Sequence, residues 1–248
     1  MQLTPEQVQF FRENGYLPLP GLFSLAHTAA LRTRLEELGA DWNSEAARRI
    51  GVQQEPEVLQ GAAEPSPATL RKFGSMAPSE PLFMEHARHP DLLDVVEQLL
   101  GQPLSLYDDQ ALLKPPHHGS EKPEHQDNAY FRVTPDDHVI TCWTALDDAD
   151  LENGCMYYYA GSHLRGRVGH RAIKGTPHLV PEEHDRSLST AVPIKEGGCI
   201  LHHSLTMHWS PPNHSPRWRR AYVVHLVRSD AEMGARHPNS PKLVQIRP

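Results

Sequence analysis

After Gly101 the chain consists of short runs of β-branched and aromatic residues, and the runs are separated by Gly, Pro, Asn and Asp. Such runs are typical of strands joined by turns. Many short strands in succession indicate a β-sandwich or a closed barrel. We therefore predict a jelly-roll of β-strands for this part of the chain, with strands at residues 104–114, 139–146, 155–159, 199–203 and 221–227.

The first hundred residues have a different pattern, in which apolar side chains recur at helical spacing. Thr4 and the proline that follows it resemble the start of a first helix, because proline is favoured at the first helical position. A second helix is predicted over residues 25–38, with Ser24 as its N-cap and Gly39 as its stop signal. A third helix is predicted over residues 90–100, where a glycine ends the apolar stripe.

The other segments lack a strong period. Residues 41–67 are predicted to form a surface excursion, and residues 161–192 and 229–248 are predicted to form loops or lids. Because no repeat and no linker divides the chain, we predict one domain over residues 1–248. Its parts are a mostly helical layer, a jelly-roll core and a C-terminal tail, at residues 1–101, 102–228 and 229–248.

Composition limits the classes of function. The 248 residues include 24 Lys and Arg against 31 Asp and Glu, and this net charge of -7 argues against nucleic-acid binding or adhesion to anionic membranes. No apolar run of about 18 residues is present to span a bilayer. Three cysteines without CxxC spacing favour buried thiols in a reducing cytosol over a disulfide framework. We expect a cytoplasmic protein with no obligate protein partner.

His125-Gln126-Asp127 supplies two ligands of the kind that bind a metal ion. In an extended strand, side chains two residues apart point the same way, so His125 and Asp127 can bind one ion. Their nitrogen and oxygen atoms suit iron, manganese or nickel. Two histidines and one carboxylate on one face of a metal are the ligand set of non-haem iron(II) oxygenases. Because the pair alone recurs by chance, the prediction depends on a third ligand elsewhere in the chain.

Three downstream histidines can supply that ligand: His202, His203 and His208. His203 lies five residues before His208, so on a regular strand the two face opposite sides. The residues alone leave the adjacent pair as competitors of His208. We expect His208 to be the ligand and His203 to be a hydrogen-bonded residue of the barrel.

Arg219 is the residue best suited to fix a co-substrate carboxylate, because a planar guanidinium binds a carboxylate with two hydrogen bonds. On a strand over residues 221–227, Arg219 shares one face with Val223 and His225, while Arg220 lies on the other. An inward Arg219 therefore predicts that Arg220 is a solvated surface charge. It also predicts that His225 is an inward histidine, more plausibly of the core than in contact with substrate.

Over residues 4–228 the chain resembles the phytanoyl-CoA dioxygenase family of iron(II)/2-oxoglutarate oxygenases. Several motifs carry the resemblance: Arg71-Lys72, Lys114-Pro115-Pro116, His125-Gln126-Asp127, Trp143-Thr144-Ala145-Leu146-Asp147-Asp148-Ala149, Glu152-Asn153-Gly154, Gly161-Ser162-His163, and His208-Trp209-Ser210 continuing to Arg219. The resemblance implies a double-stranded β-helix, a cupin-like barrel, with packed N-terminal helices. It also implies hydroxylation of a substrate, with release of succinate and CO2 from 2-oxoglutarate.

The same resemblance implies roles for particular residues. His125, Asp127 and His208 would be the iron(II) ligands and the catalytic centre, with one position on the metal open to O2. The 2-oxoglutarate pocket would contain Arg219, Trp143, Ser210 and Lys72. The carboxylate of Asp127 argues for hydroxylation, because relatives that halogenate leave this position empty for chloride.

The chain departs from the family pattern at two positions. Ala160 stands where proline is usual before Gly-Ser-His, and Trp209 stands where glycine is common after the distal histidine. Neither departure removes a catalytic group. We expect the ring of Trp209 to lie beside the metal ligand and to reshape the substrate side of the pocket.

The substrate is predicted to be a small molecule, and a CoA thioester is disfavoured by the acidic net charge. Five candidate contacts flank the metal strands: Gln110, Lys114, Asn128, Tyr130 and Trp209. Two other functions remain open, a metal- and ligand-binding jelly-roll without turnover and a cupin-type metal isomerase. Arg219 discriminates against the isomerase, because that reaction needs no 2-oxo acid.

Overall fold

The structure, a computed structural model, describes residues 1–174, 176, 178–234 and 243–248. In this part of the chain the α-helices are α1 Pro5–Asn14, α2 Leu25–Ala40, α3 Glu45–Arg49, α4 Pro56–Leu59, α5 Pro81–Ala87, α6 Pro90–Leu100 and α7 Asn128–Phe131. The strands are β1 Tyr16–Leu19, β2 Val52–Gln54, β3 Leu70–Gly74, β4 Leu104–Lys114, β5 Lys122–His125, β6 Val139–Ala145, β7 Met156–Tyr158, β8 His170–Ala172, β9 Leu179–Pro181, β10 Thr190–Val192, β11 Cys199–His203, β12 His208–Ser210, β13 Arg219–Arg228 and β14 Val244–Arg247.

The main strands form two antiparallel sheets with an apolar core between them. The larger sheet has the order β1-β11-β6-β13-β4-β3-β2, with β14 also paired to β4, and the smaller has the order β10-β7-β12-β5. Trp143 and Val223 of the larger sheet share a buried cluster with Met156, Tyr158 and Val192 of the smaller. The jelly-roll predicted from the short strands is therefore confirmed.

The predicted strands occur close to their expected bounds, but several strands were not predicted. β5 and β12 are short and polar, so neither shows the alternation of apolar residues by which a strand is recognised. The prediction of loops over residues 161–192 is wrong in part, because β8, β9 and β10 lie there. The C-terminal tail likewise contains β14, which pairs with β4.

Helices of the N-terminal layer pack on the outer face of the larger sheet, and the predicted caps are largely confirmed. Thr4 forms a capping box with Gln7, and Ser24 Oγ accepts a hydrogen bond from the backbone N–H of residue 27. The stop predicted at Gly39 is wrong, because α2 continues to Ala40. Gly39 is instead a packing residue, since a Cβ there would lie 3.3 Å from Leu70 Cδ1.

Side chains of β13 point alternately into two hydrophobic clusters, one between the larger sheet and the helices and one between the two sheets. Tyr222 and Val224 face the cluster that contains the helices, while Val223 faces the cluster between the sheets. Arg219 and His225 share the face of Val223, and all three line the internal cavity. The predicted parity of this strand is confirmed.

The three cysteines, Cys142, Cys155 and Cys199, are buried and unpaired, as expected for small core residues. Among the helices that the structure describes, none combines the length and the apolar character needed to cross a bilayer.

Candidate active site

A cavity of about 340 Å³ lies between the two sheets. Residues from both sheets line it, and their burial defines its depth. His125, Asp127, His208 and Arg219 are buried, whereas the half-buried residues Arg71, Lys122, Tyr130 and His178 lie at what we call the entrance. The buried end of the cavity, which we call the floor, therefore contains residues able to bind a metal. The entrance contains two cations, Arg71 and Lys122.

His125, Asp127 and His208 converge at this floor. Their potential ligand atoms all lie within 4.8 Å of one another, and no second group of this kind occurs in the described part of the chain. Asp127 Oδ1 lies 3.5 Å from His125 Nε2 and 3.7 Å from His208 Nε2. The pairing of β5 with β12 places His125 directly opposite His208, so two short polar strands bring together residues that are far apart in sequence.

Asp127 reaches this group by a different route from the one predicted. Its backbone is helical, with φ -58° and ψ -40°, and it immediately precedes α7, so His125 and Asp127 do not lie on one extended strand. Gln126 anchors the turn between them, since its side-chain amide donates to the carbonyl oxygens of Gly166 and Leu205. The turn, and not strand alternation, directs the Asp127 carboxylate towards His125.

The tautomers of both histidines follow from their backbone contacts. The Nδ1 atoms of His125 and His208 lie 2.8 and 2.9 Å from the carbonyl oxygens of Pro123 and Thr206. Because a carbonyl can only accept, each Nδ1 carries the proton and each Nε2 presents its lone pair. Burial lowers the pKa of both imidazoles below the usual value, which keeps them neutral. Neutral imidazole is the form that binds a metal.

The Asp127 carboxylate is held ionised and oriented. Burial by itself would raise its pKa, but the neighbouring His208, His125 and His202 lower that pKa well below the usual value. Oδ2 accepts hydrogen bonds from Thr141 Oγ1 at 2.6 Å and from His202 Nε2 at 3.1 Å. Oδ1 is therefore the oxygen that faces the two Nε2 atoms.

The three downstream histidines have three different positions. His208 lies with His125 and Asp127, as expected, and His202 binds the carboxylate from behind. His203 lies outside this group, where its Nδ1 accepts a hydrogen bond from the backbone N–H of Leu205. His203 is thus the hydrogen-bonded barrel residue that was predicted, while the contact of His202 with Asp127 was not foreseen.

Arg219 has the features of a carboxylate-binding residue without its ligand. It is 2% exposed, and its Nε and Nη1 atoms have no hydrogen-bond partner among the described residues. Burial lowers the pKa of Arg219 to about 10, so its charge is costly there. The guanidinium lies 5.4 Å from the ring centre of Trp143, whose Nε1 is also unpartnered in the same part of the structure. Ser210 lines the same cavity.

Lys72, Gln110 and Tyr130, the other predicted cosubstrate or substrate contacts, also line the cavity. Tyr130 packs edge-on against His125, and its hydroxyl accepts a hydrogen bond from the backbone N–H of Leu179. Gln110 Nε2 lies 3.1 Å from His225 Nε2, so its amide bonds to an inward histidine. His225 is therefore a hydrogen-bonded residue of the cavity wall.

Lys114 and Asn128 are already occupied by structural contacts. The ammonium of Lys114 lies in the cavity wall but donates to the carbonyl oxygens of Ser120 and Pro211. Asn128 is fully buried, and its side chain exchanges hydrogen bonds with the backbone of Val133. We therefore assign both residues to the scaffold.

The expectation for Trp209 is wrong. Because it alternates with His208 and Ser210 on β12, its ring points away from the cavity. The ring packs against Tyr157 and lies under the guanidinium of Arg186. Trp209 therefore packs on the face of the smaller sheet that points away from the cavity, and it does not line the cavity.

The prediction that Arg220 is a solvated surface charge is also wrong. Its guanidinium makes two hydrogen bonds to Asp147, at 2.7 and 2.9 Å, and pairs with Glu36 of α2. Its side chain is 11% exposed, so this is a partly buried link between the sheet and the helical layer. The acidic turn after β6 therefore has a structural role.

Comparison with known proteins places these observations in context. A family model described as phytanoyl-CoA dioxygenase (PhyH) matches residues 11–221. The phytanoyl-CoA dioxygenase domain-containing protein 1 of Danio rerio is 30% identical over 266 residues, which cover 92% of this chain and 91% of that protein. The peroxisomal phytanoyl-CoA dioxygenase of Homo sapiens is 24% identical and matches 92% of this chain and 69% of its own length.

Two solved structures are also similar to this chain. EvdO2 from Micromonospora carbonacea var. aurantiaca is 26% identical with a TM-score of 0.72, covers 97% of each chain, and has also been solved with 2-oxoglutarate. SnoK, a non-haem α-ketoglutarate-dependent carbocyclase of nogalamycin biosynthesis, is 25% identical with a TM-score of 0.71. That match covers 94% of this chain and 87% of SnoK.

Proposed function

Because the chain belongs to the phytanoyl-CoA dioxygenase family, we propose that it hydroxylates a small organic substrate and converts 2-oxoglutarate to succinate and CO2. Iron(II), 2-oxoglutarate and O2 are the cofactors and cosubstrates of this class of oxygenase. The observation that carries the proposal is one cavity that contains both the His125, Asp127 and His208 group and the unpartnered Arg219.

In this proposal His125 Nε2, His208 Nε2 and Asp127 Oδ1 hold the metal. The donor set fits iron(II), because two neutral imidazoles and one carboxylate leave the other face of the ion open. A bound iron would supply positions for 2-oxoglutarate and O2 and the redox chemistry of oxygen activation. The protein contributes the orientation of its ligands, since both imidazoles and the carboxylate are fixed by hydrogen bonds.

Arg219, Trp143 and Ser210 hold the far carboxylate of 2-oxoglutarate in this scheme, and Lys72 is a further contact of the same pocket. A carboxylate could accept from Nε and Nη1 of Arg219 and from Nε1 of Trp143, three donor atoms that lack partners in the described structure. A buried cation without a partner is costly, so a dianionic cosubstrate fits the site physically.

The test is 2-oxoglutarate binding to Mn(II)-loaded protein, measured by calorimetry, with turnover measured as succinate released in the presence of iron(II) and O2. Arg219→Leu should weaken binding by at least about tenfold, since a hydrogen-bonded charge contributes about 1.5–3 kcal/mol. Asp127→Ala should abolish turnover and weaken metal binding by about tenfold or more.

Arg220→Leu is the matched control, because it removes the neighbouring guanidinium from the other face of β13 and should leave 2-oxoglutarate affinity unchanged. Equal 2-oxoglutarate affinity in wild type and Arg219→Leu would contradict the assignment of Arg219 to the cosubstrate, and failure of wild type to bind 2-oxoglutarate would favour a metal isomerase. Tight 2-oxoglutarate binding without succinate from any substrate tested would favour a ligand-binding jelly-roll.

Hydroxylation is separated from other oxidations by labelled dioxygen. SnoK is described as a carbocyclase, so one relative of this fold performs a different net reaction. We expect one labelled oxygen atom in the product and one in succinate. If the product contains no labelled oxygen, the reaction is a cyclisation, a desaturation or an epimerisation instead of a hydroxylation.

A further inference from the structure

The lining of the cavity has an excess of positive charge. Cations line the cavity at five positions, Arg71, Lys72, Lys114, Lys122 and Arg219, against carboxylates only at Asp108 and Asp127 in the described lining. Iron(II) and 2-oxoglutarate would cancel each other in charge, so they leave this excess unchanged. The excess is unusual in a chain whose net charge is -7.

Not all of these cations need a ligand. Lys114 donates to backbone carbonyl oxygens, and Arg219 is assigned to the cosubstrate. Lys72 has Asp108 as its principal opposite charge. Arg71 and Lys122 remain, and neither has a carboxylate within 4.0 Å in the part of the chain that the structure describes.

Arg71 and Lys122 converge on a single imidazole. Arg71 Nη2 lies 3.4 Å from His178 Nε2, and Lys122 Nζ lies 3.5 Å from His178 Nδ1. Burial, together with Lys122 and Arg71, lowers the pKa of His178 to about 4, so the ring is neutral near pH 7. A neutral imidazole has one N–H and one lone pair, whereas both cations are donors only. His178 can therefore accept from one of them and not from both.

The remaining partners do not remove this mismatch. Arg71 also donates to the backbone oxygen of Glu121 at 3.3 Å, and the carboxylate of Glu55 attracts it from beyond ion-pair distance. Lys122 Nζ lies 5.0 Å from the ring centre of Tyr130, which is a weak cation–π contact. The two cations thus repel each other and share one imidazole lone pair, and in the described part of the chain their only other hydrogen-bond acceptor is the backbone oxygen of Glu121.

We infer that the substrate carries an oxyanion, a carboxylate or a phosphate, which Arg71 and Lys122 bind at the entrance while the rest of the molecule extends towards the metal. An oxyanion supplies acceptors to both cations, so that they no longer compete for His178, and it relieves the repulsion between them. The inference rests on the proposed function, since it identifies the substrate class of the same cavity. His178 would position the pair by binding one member of it.

The experiment uses Mn(II)- and 2-oxoglutarate-loaded protein, so that the cosubstrate occupies Arg219. Calorimetry compares phenylacetate and phenyl phosphate with the neutral phenylacetamide, because Tyr130 and Phe131 offer aromatic walls for a phenyl ring. At least one anion should bind about tenfold tighter than the amide, which corresponds to about 1.4 kcal/mol. The relative affinities of the two acids distinguish carboxylate from phosphate.

Arg71→Gln and Lys122→Gln should each abolish most of this preference, while Lys122→Arg should retain it. Arg165→Gln removes the same charge from an exposed position and should change nothing. Folding of the variants is checked by thermal unfolding, where loss of one of two repelling cations should not lower the midpoint.

Two results would overturn the inference. One is that wild type binds the acids no more tightly than the amide, or binds neither acid saturably. The other is that Arg71→Gln or Lys122→Gln weakens 2-oxoglutarate binding as strongly as Arg219→Leu, because these cations would then serve the cosubstrate. Either result leaves the proposed function intact, whereas wild type that fails to bind 2-oxoglutarate refutes the proposed function itself.

Discussion

Thr141 Oγ1 donates a hydrogen bond of 2.6 Å to Asp127 Oδ2, and this contact determines the position of several protons around the site. Because the hydroxyl proton is used, Thr141 Oγ1 must accept from Nδ1–H of His225, which lies 2.9 Å away. His225 Nε2 then accepts from the side-chain amide of Gln110. A chain of hydrogen bonds therefore runs from the cavity wall to the carboxylate.

A second chain reaches the same oxygen from the other side. His202 Nε2–H donates to Asp127 Oδ2, so its Nδ1 accepts from the hydroxyl of Tyr158 at 3.1 Å. Both chains end on Oδ2. These hydrogen bonds stabilise the ionised form of Asp127, and they leave Oδ1 free to bind a metal.

Thr141→Val should weaken metal binding by about tenfold, the lower end of the range for loss of a partner that orients a ligand. Valine keeps the shape of threonine but leaves His225 Nδ1–H without an acceptor and frees the carboxylate to rotate. Zinc(II) or manganese(II) titration measures the effect. Thr141→Ser is the control and should bind metal as wild type does, and equal affinity in all three proteins would contradict the role of Thr141.

Arg219→Leu and Arg220→Leu should change stability in opposite directions. Without 2-oxoglutarate, Arg219→Leu should raise the free energy of unfolding by about 1–3 kcal/mol, because it removes an unpartnered buried charge. Arg220→Leu should lower that free energy by a similar amount, because Asp147 loses a two-hydrogen-bond partner. Urea unfolding of the two variants measures both effects, and a loss of stability in Arg219→Leu would show that its charge is satisfied.

The protein should lose stability as the pH falls below about 6.5, the usual pKa of histidine. Burial lowers the pKa of His203 to about 4 and that of His86 well below the usual value. The unfolded chain therefore binds more protons below pH about 6.5, while above it neither state is charged at these groups. Each of these two histidines should lower the free energy of unfolding by about 1 kcal/mol at pH about 5.5. Unfolding at pH about 7.5 and about 5.5 tests this, and His203→Gln should show a smaller loss than wild type. An equal loss of stability in wild type and His203→Gln would show that His203 does not contribute to the pH dependence.

Asp109→Ala should lower the free energy of unfolding by about 3 kcal/mol or more, because it leaves buried donors without an acceptor. Oδ2 of Asp109 accepts from the backbone N–H groups of Met76 and Ala77 and from the hydroxyl of Tyr222. These bonds tie the segment after β3 to the larger sheet. Asp108→Ala is the neighbouring control, since the side chain of Asp108 accepts one hydrogen bond from the described residues, that of Ser75 Oγ, and its loss should cost less than about 1.5 kcal/mol. Equal losses in the two variants would contradict the anchoring role.

The sequence by itself determined those features that depend on local periodicity and on residue chemistry. Helix α6, its terminal glycine, strands β4 and β11, and the shared face of Arg219, Val223 and His225 all follow from local periodicity, whereas the structure shows that this face is the inward one. Residue types and spacing indicated His125 and Asp127 as metal ligands, while the choice of His208 over its neighbouring histidines also depended on the resemblance to a known family.

Only the tertiary structure decided which other residues meet that group. His202 lies 75 positions from Asp127, and Thr141 lies 14 positions away, so no local pattern links them. The turn at Gln126, the outward ring of Trp209 and the pair formed by Arg71 and Lys122 likewise depend on which strands lie opposite each other. The reason is physical: periodicity specifies which side of a strand is buried, but the partner of a buried polar atom is set by packing between distant segments.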